Sequence, residues 1–418
     1  MPIINVTAEK ILEIFIFTGI IAFCFLADTS NQFIAVVLLA INVYGLYKAR
    51  KNWYAAYIFL FLLYANYSIC FANYLHRLNT FFVIWADSEI SHRGMLILLI
   101  FSIGLTLAIP AHMKKNDESE FGLTKNNKDN KIIVIGIYAI LLFILIFGYT
   151  RPTIEGGRGS PSTYYEYSVI LFILGFYYCG KSLRTKTLLS FLMALYAAQN
   201  FMFGGRITGL QIVICWAFCL YIDKLKIRYI VPLGFAFVVA MMTIGRMRGG
   251  VSFSIDEFKN TIEYAMRNGG ALDTAYSSYY TSLTFLQVRD ELSMLERLSL
   301  FGNWLLSILF GHVIPNSNLA YYTRIYYTHY YGGIIPFFGY FYLGYAGILL
   351  FVFLLAKMLR KVSQTDINST GLARCITLYI VVTTPRWYLY SPSQITRGIL
   401  IFSTFYGVCY WFDSRIRR

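Results

Sequence analysis

Three short stretches of this chain place arginine beside glycine: Arg151-Pro-Thr-Ile-Glu-Gly-Gly-Arg-Gly-Ser160, Gly204-Gly205-Arg206, and Gly245-Arg246-Met-Arg248-Gly-Gly250. Glycine lets backbone N–H groups converge on an anion, and the planar guanidinium binds phosphate oxygens two at a time. The chemistry this pairing suits is the holding of a concentrated negative charge. A fourth stretch, Tyr321-Tyr-Thr-Arg-Ile-Tyr-Tyr-Thr-His-Tyr-Tyr331, crowds aromatic rings around Arg324 and His329. Flat rings suit the faces of sugars, although tyrosine is also the ordinary resident of a membrane–water boundary. Imidazole has a pKa fit to take a proton from a hydroxyl, so His329 is a candidate base. Glu155 in the first turn is another, with His312, Glu166 and Glu263 as further alternatives.

The elements that carry these residues are set by composition. Hydrophobic residues make up 57% of the chain and charged ones 14%, so repeated apolar runs with short polar breaks define an all-α, polytopic transmembrane bundle. About twelve spans are expected, near 11–27, 32–47, 53–75, 94–112, 131–149, 164–180, 187–204, 207–222, 229–245, 334–356, 372–390 and 398–412. The chain then divides into spans one to nine (1–245), a large helical outer loop (246–333) and spans ten to twelve (334–418). The run from Phe301 to Ile314 is too short for a comfortable crossing and is expected as a re-entrant or interfacial helix.

Charge orients the bundle. With both termini inside, 22 of the 36 Lys and Arg residues fall in inner segments, as the positive-inside rule asks. Fourteen of those 22 are lysine, whereas Lys259 is the one lysine among the 14 outer residues. Orientation is indifferent to which cation supplies the charge, so an outer face of nearly pure arginine calls for another cause, and phosphate binding is one. Pairing with outer carboxylates is the other. The net charge of +15 is accounted for by the breaks between spans, and no nucleic-acid module is present. All seven cysteines lie in apolar runs without a Cys-x-x-Cys pair, which speaks against a disulfide framework or a structural zinc. No outer Asp-x-Asp pair offers to hold Mg²⁺ or Mn²⁺, so no metal and no cofactor is expected. A membrane-embedded ligand with concentrated negative charge suggests a polyprenyl pyrophosphate, whose departure arginines can assist without metal.

The tight Phe203-Gly-Gly-Arg206 turn opening a span, the arginine-bearing outer loop after the fifth span, the large late outer loop and the closing Tyr331-Gly-Gly-Ile-Ile-Pro-Phe-Phe-Gly-Tyr-Phe-Tyr-Leu-Gly-Tyr-Ala-Gly347 together resemble bacterial O-antigen polymerases of the Wzy type. The resemblance implies a metal-independent glycosyltransferase of the GT-C kind in the bacterial inner membrane, with cytoplasmic termini and a periplasmic active site. It would move a growing glycan from undecaprenyl pyrophosphate onto a new lipid-linked repeat unit. By position, Arg158, Arg206, Arg246, Arg248 and Arg324 would hold pyrophosphate. Tyr321, Tyr322, Tyr326, Tyr327 and Tyr330 would stack on sugars, and His329 or Glu155 would act as base. Partners implied are undecaprenyl-pyrophosphate-linked glycans, membrane lipid and a chain-length regulator protein, and no nucleic acid. The Arg-x10-Gly spacing of some members is absent from Arg151, Arg158, Arg246 and Arg248. A lipid-linked oligosaccharide flippase and an O-antigen ligase are the competing classes; Pro315-Asn-Ser-Asn318 is a faint echo of the ligase pattern.

Overall fold

The computed structural model describes residues 8–27, 29–76, 88–109, 128–150, 160–203, 205–221, 239–240, 242–243, 254–267, 269–329, 332–364 and 369–416. In chain order the helices are α1 (Ala8–Leu26), α2 (Asn31–Ala49), α3 (Trp53–Cys70, continued by a π-turn over Phe71–Leu75), α4 (Ser88–Ala108), α5 (Lys131–Phe147), α6 (Thr163–Glu166), α7 (Ser168–Tyr178), α8 (Leu183–Met202) and α9 (Arg206–Leu220). They continue with α10 (Ile255–Arg267), α11 (Asp273–Glu291), α12 (Met294–Phe310), α13 (Leu319–Thr323), α14 (Ile335–Leu343), α15 (Tyr345–Gln364), α16 (Gly371–Val382), α17 (Thr384–Leu389) and α18 (Ser393–Ile416). Among the described residues the only paired strands are Tyr149–Thr150 and Ser160–Pro161, two residues each. Apart from this pair, the regular structure of the described residues is helical, as composition leads one to expect.

Polar residues start the helices where the apolar runs begin. Asn52, Asn130, Ser182 and Thr370 each accept a bond from the backbone N–H three residues on, satisfying one of the donors that a helix start leaves open. Ser293 and Glu296 form a full capping box at the start of α12. Among the described residues three helical stretches, Asn31–Ala49, Trp53–Leu75 and Ser88–Ala108, are long and apolar enough to cross a membrane. The exposed faces agree with that solvent. Ile132, Ile135, Phe143 and Phe147 on α5, and Leu349, Leu350, Phe353 and Leu354 on α15, are open to the outside, and belts of this kind belong in a bilayer rather than in water.

Two compact units result. The first holds Met1–Lys115, Ala271–Gln364 and Arg386–Ser393. In it Lys48, ending α2, bonds to Glu13 near the start of α1 and to the Thr106 carbonyl near the end of α4. Asn52, just before α3, reaches the Ser363 carbonyl at the end of α15. These contacts mark one end of the unit. At the other, Leu272 N–H donates to Ser68, Tyr74 meets Tyr279, and Arg93 meets Asp290. Lys10, Lys48, Arg50, Lys51, Lys357, Arg360 and Lys361 lie at the first end; the second, among the described residues, has Arg93, Arg289, Arg297 and Arg324 and no lysine.

The second unit holds Asn116–Gly270, Thr365–Pro385 and Gln394–Arg418. Its centre is α7, every residue of which is buried, as a helix that is apolar all round must be. Helices α5, α8, α9 and α16 pack against it. At one end Asp413, 3% exposed at its side chain, accepts from Lys128 and Asn130. At the opposite end lie Tyr149, Tyr165, Gln199, Asn200 and Arg206.

The structure refines several boundaries. The span expected over 334–356 is two helices, broken at Gly344, with α14 lying along α11 and α15 packed on α4. The span expected over 372–390 breaks at Thr383 into α16 and α17. The expected loop 246–333 falls across both units, which divide between Gly270 and Ala271. Its helix α11 does not stand apart from the apolar helices: it packs on α3, α4 and α14. Polar composition misleads here because its hydroxyls turn inward to their own backbone. Thr281, Ser282 and Thr284 bond to the carbonyls of Ser277, Ser278 and Thr281, so a helix rich in serine and threonine is buried without stranded donors. The short apolar run expected over 301–314 begins earlier, at Met294, and ends at Gly311. The ninth expected span, 229–245, lies almost wholly outside the described residues.

Candidate functional site

Two places, one in each unit, carry the residues singled out by chemistry. In the first unit the tyrosine-rich run folds back on α11. Tyr327 donates its hydroxyl to Glu291 at 3.0 Å, and Tyr280 donates to the Thr328 carbonyl at 3.2 Å. Tyr322 and Tyr326 stand one helical turn apart with ring centroids 5.7 Å from each other. Tyr321 is 58% exposed and Tyr326 49%, so two rings of the run present open faces. Burial, then the Tyr326 hydroxyl beside it and the Glu296 charge, push the Tyr322 phenol up to about 12. Burial and Glu291 raise Tyr327 likewise. These phenols stay neutral and able to donate across the physiological range. Arg324 is exposed at the end of α13.

His329 is placed differently from what a base needs. It is 5% exposed, and its Nε2 lies 3.0 Å from the Thr323 hydroxyl. That hydroxyl already donates to the Leu319 carbonyl at 3.1 Å, so the ring N–H is the donor between the two. The imidazole therefore closes the turn between α13 and the glycines that follow, and substrate reaches it only if the turn opens. Gly332 and Gly333 then thread a narrow gap. The Gly333 N–H donates to the Leu389 carbonyl, and the Ile334 N–H to Ser282. A Cβ on Gly333 would stand 2.6 Å from the Phe285 ring.

The same end of this unit carries a charged rim. Arg93 pairs with Glu89 and, 197 residues away, with Asp290. Arg289 donates to the Tyr340 carbonyl and lies over its ring, 4.7 Å from the centroid. Arg297 donates to the Ser293 carbonyl, and burial and the nearby Arg289 lower its pKa. Sequence reading did not single out Arg289, Asp290, Glu291 or Arg297 as a cluster. The available signal was a charge cluster closing a helix otherwise filled with hydroxyls.

In the second unit Arg206 is the first residue of α9 and only 8% exposed. The turn before it is held by Asn200, which donates to Tyr165 and to the Tyr196 carbonyl. The Asn200 carbonyl in turn accepts from the Gly205 N–H at 2.6 Å. A Cβ on Gly205 would come within 2.6 Å of Asn200 Oδ1, so glycine is required for the turn to close. Tyr165 is itself fixed by Gln199 and packs on Tyr149 and Tyr196. A shell of phenols and amides thus sets the start of α9, where backbone N–H groups and a buried guanidinium favour the same sign of ligand.

Glu155, Arg158, Arg246, Arg248 and Tyr330 lie outside the described residues. Arg206 belongs to one unit; Arg324, His329, Tyr321, Tyr322, Tyr326 and Tyr327 belong to the other. Among the described residues no group of three His, Cys, Asp or Glu side chains is placed to hold a metal. Comparison with protein-family models, with curated proteins and with solved structures finds no match for the chain.

Proposed function

We propose that this chain is a polysaccharide polymerase of the bacterial inner membrane, joining undecaprenyl-pyrophosphate-linked oligosaccharide repeat units, in line with its resemblance to Wzy-type polymerases. In this reading it has about twelve spans, both termini in the cytoplasm and its working face in the periplasm. The observation that carries the proposal is the place of Arg206: the Asn200–Tyr165 shell sets its guanidinium at the first residue of α9, where helix N–H groups favour the same anionic ligand. The open rings of Tyr321 and Tyr326 in the first unit add support.

The reaction follows from those roles. A hydroxyl of the incoming repeat unit attacks the anomeric carbon of the growing glycan. The bond from that carbon to the pyrophosphate oxygen breaks, and its electron pair leaves with undecaprenyl pyrophosphate. In the second unit Arg206, with Arg158, Arg246 and Arg248, holds the charge that develops on the leaving group, and Glu155 is the candidate base. In the first unit Arg324 is a further phosphate-binding candidate, His329 the alternative base once its turn opens, and Tyr321, Tyr322, Tyr326, Tyr327 and Tyr330 the faces on which glycan stacks.

The test is purified protein in lipid nanodiscs supplied with lipid-linked repeat units. Polymer ladders are expected, and Arg206→Ala slows their growth by roughly 10²–10³. Movement of the substrate across the bilayer without new glycosidic bonds identifies a carrier instead. Transfer to a lipid A core alone identifies a ligase.

A further inference from the structure

Within the first unit α1 and α15 run along the same helix, α4, in opposite directions, and each turns an exposed stripe outward. On α1 the stripe is Lys10, Ile14 and Phe25; on α15 it is Tyr345, Leu349, Phe353 and Arg360, each set repeating at helical spacing. Phe25 meets Tyr345 with ring centroids 5.7 Å apart, which fixes the stripes side by side at one end. Between the ends the surface is open and apolar: Ile14 is 44% exposed, Leu349 60% and Phe353 64%.

The other end is cationic. Lys48 is largely buried there and already satisfied, by Glu13 at 2.6 Å and the Thr106 carbonyl at 3.0 Å. Burial, and then the charges of Lys48 and Arg360, lower the pKa of Lys10 against the smaller opposing pull of Glu13, which Lys48 shares; Lys10 sits just before the apolar run of α1. Lys10 and Arg360 thus face one another's field, with exposed Glu9 as the remaining carboxylate of the first turn. Like charges converging where an apolar surface ends are costly unless an anion joins them.

We propose that the α1–α15 surface binds one anionic phospholipid, its phosphate held by Lys10 and Arg360 and its acyl chains lying along Ile14, Leu349 and Phe353. Charge complementarity selects the headgroup, and the apolar stripes that run directly from it select a lipid over a soluble phosphate. The site is independent of the proposed reaction and rests only on the chain's residence in a bilayer.

Native mass spectrometry of the full-length protein released from mixed micelles tests it, with phosphatidylglycerol and phosphatidylcholine offered together. One retained phosphatidylglycerol is expected in preference to phosphatidylcholine. Lys10→Ala and Arg360→Ala each weaken its retention about fivefold, and the pair about thirtyfold. The charge-conserving pair Lys10→Arg with Arg360→Lys keeps it, which separates loss of the site from loss of the fold. Equal retention of the two lipids, unchanged retention in the double alanine variant, or displacement of the lipid by millimolar inorganic phosphate would overturn the proposal.

Discussion

The phenol oxygens of Tyr74 and Tyr279 lie 2.7 Å apart in the interior of the first unit, although 205 residues separate them in the chain. Tyr279 also reaches the Ser91 carbonyl at 3.4 Å. A carbonyl only accepts, so Tyr279 donates to Ser91 and Tyr74 donates to Tyr279. The order makes the two positions unequal. Tyr279→Phe takes from the buried Tyr74 hydroxyl its acceptor at 2.7 Å and is expected to cost about 1–3 kcal/mol, whereas Tyr74→Phe removes a donor and leaves Tyr279 bonded, at about 1 kcal/mol. Thermal unfolding of the detergent-solubilised variants measures the difference, and equal losses would contradict the assigned direction.

The glycines around α14 give a second contrast. Gly333 has φ +152° and its missing Cβ would meet Phe285 at 2.6 Å and Phe338 at 3.0 Å. Gly344 has φ +64°, and a Cβ there would meet only the flexible end of Arg289 at 3.3 Å. Gly333→Ala therefore combines about 1–3 kcal/mol of backbone strain with a similar cost of overpacking. Gly344→Ala carries about 1 kcal/mol of backbone cost alone. The yield of monodisperse protein and its unfolding temperature should fall much further for Gly333→Ala.

What the chain discloses without a structure follows from how each residue meets its surroundings. Helix starts at Asn52, Asn130 and Thr370 are visible because a polar cap stands against an apolar run. Arg206 is visible because Gly204-Gly205 leaves no room for a longer turn. The burial of α11 is hidden, since its serines and threonines read as polar until their bonds to the preceding turn are seen. The break at Gly344 is hidden too, because aromatic and apolar residues continue on both sides, whereas the one at Thr383 is signalled by Thr384-Pro385 within an otherwise apolar run. His329 reads as an accessible base in a tyrosine-rich loop; only the return of Thr323 to the same point shows the ring enclosed. Arg93 joins Asp290 across 197 residues, a distance that local pattern does not span.

Acid should loosen the start of α12. Glu296 bonds to the hydroxyl and to the backbone N–H of Ser293, and these bonds hold its carboxyl below the usual carboxylate range. A depressed folded-state pKa contributes stability above the unfolded pKa of about 4.3 and loses it as pH falls through the folded value. Amide exchange at the first turn of α12 should therefore accelerate below about pH 4 relative to its intrinsic rate. Glu296→Gln keeps a side chain able to reach back to Ser293. That variant should be insensitive to pH over the same range, and an acid response persisting in it would place the cause elsewhere.

Asp413 joins two distant segments of the second unit. Its carboxylate is buried and accepts from Lys128 at 2.9 Å and from Asn130 at 3.0 Å, while Lys128 also lies over the Tyr410 ring at 4.4 Å. Asn130 in turn caps α5 by accepting from Ile133 N–H, so the carboxylate ties the end of α18 to the start of α5. Removing the acid alone leaves a half-buried ammonium and an amide without their acceptor, and Asp413→Ala should cost about 3 kcal/mol. Asp413→Asn retains one oxygen to accept from Lys128 and should cost less than half of that. If attraction between the charges dominates, Lys128→Met in the Asp413→Ala background recovers part of the loss, because it removes the uncompensated charge. A double-mutant cycle on unfolding free energy reads this coupling directly. Strict additivity would mean that Asn130, not Lys128, is the partner that makes Asp413 matter.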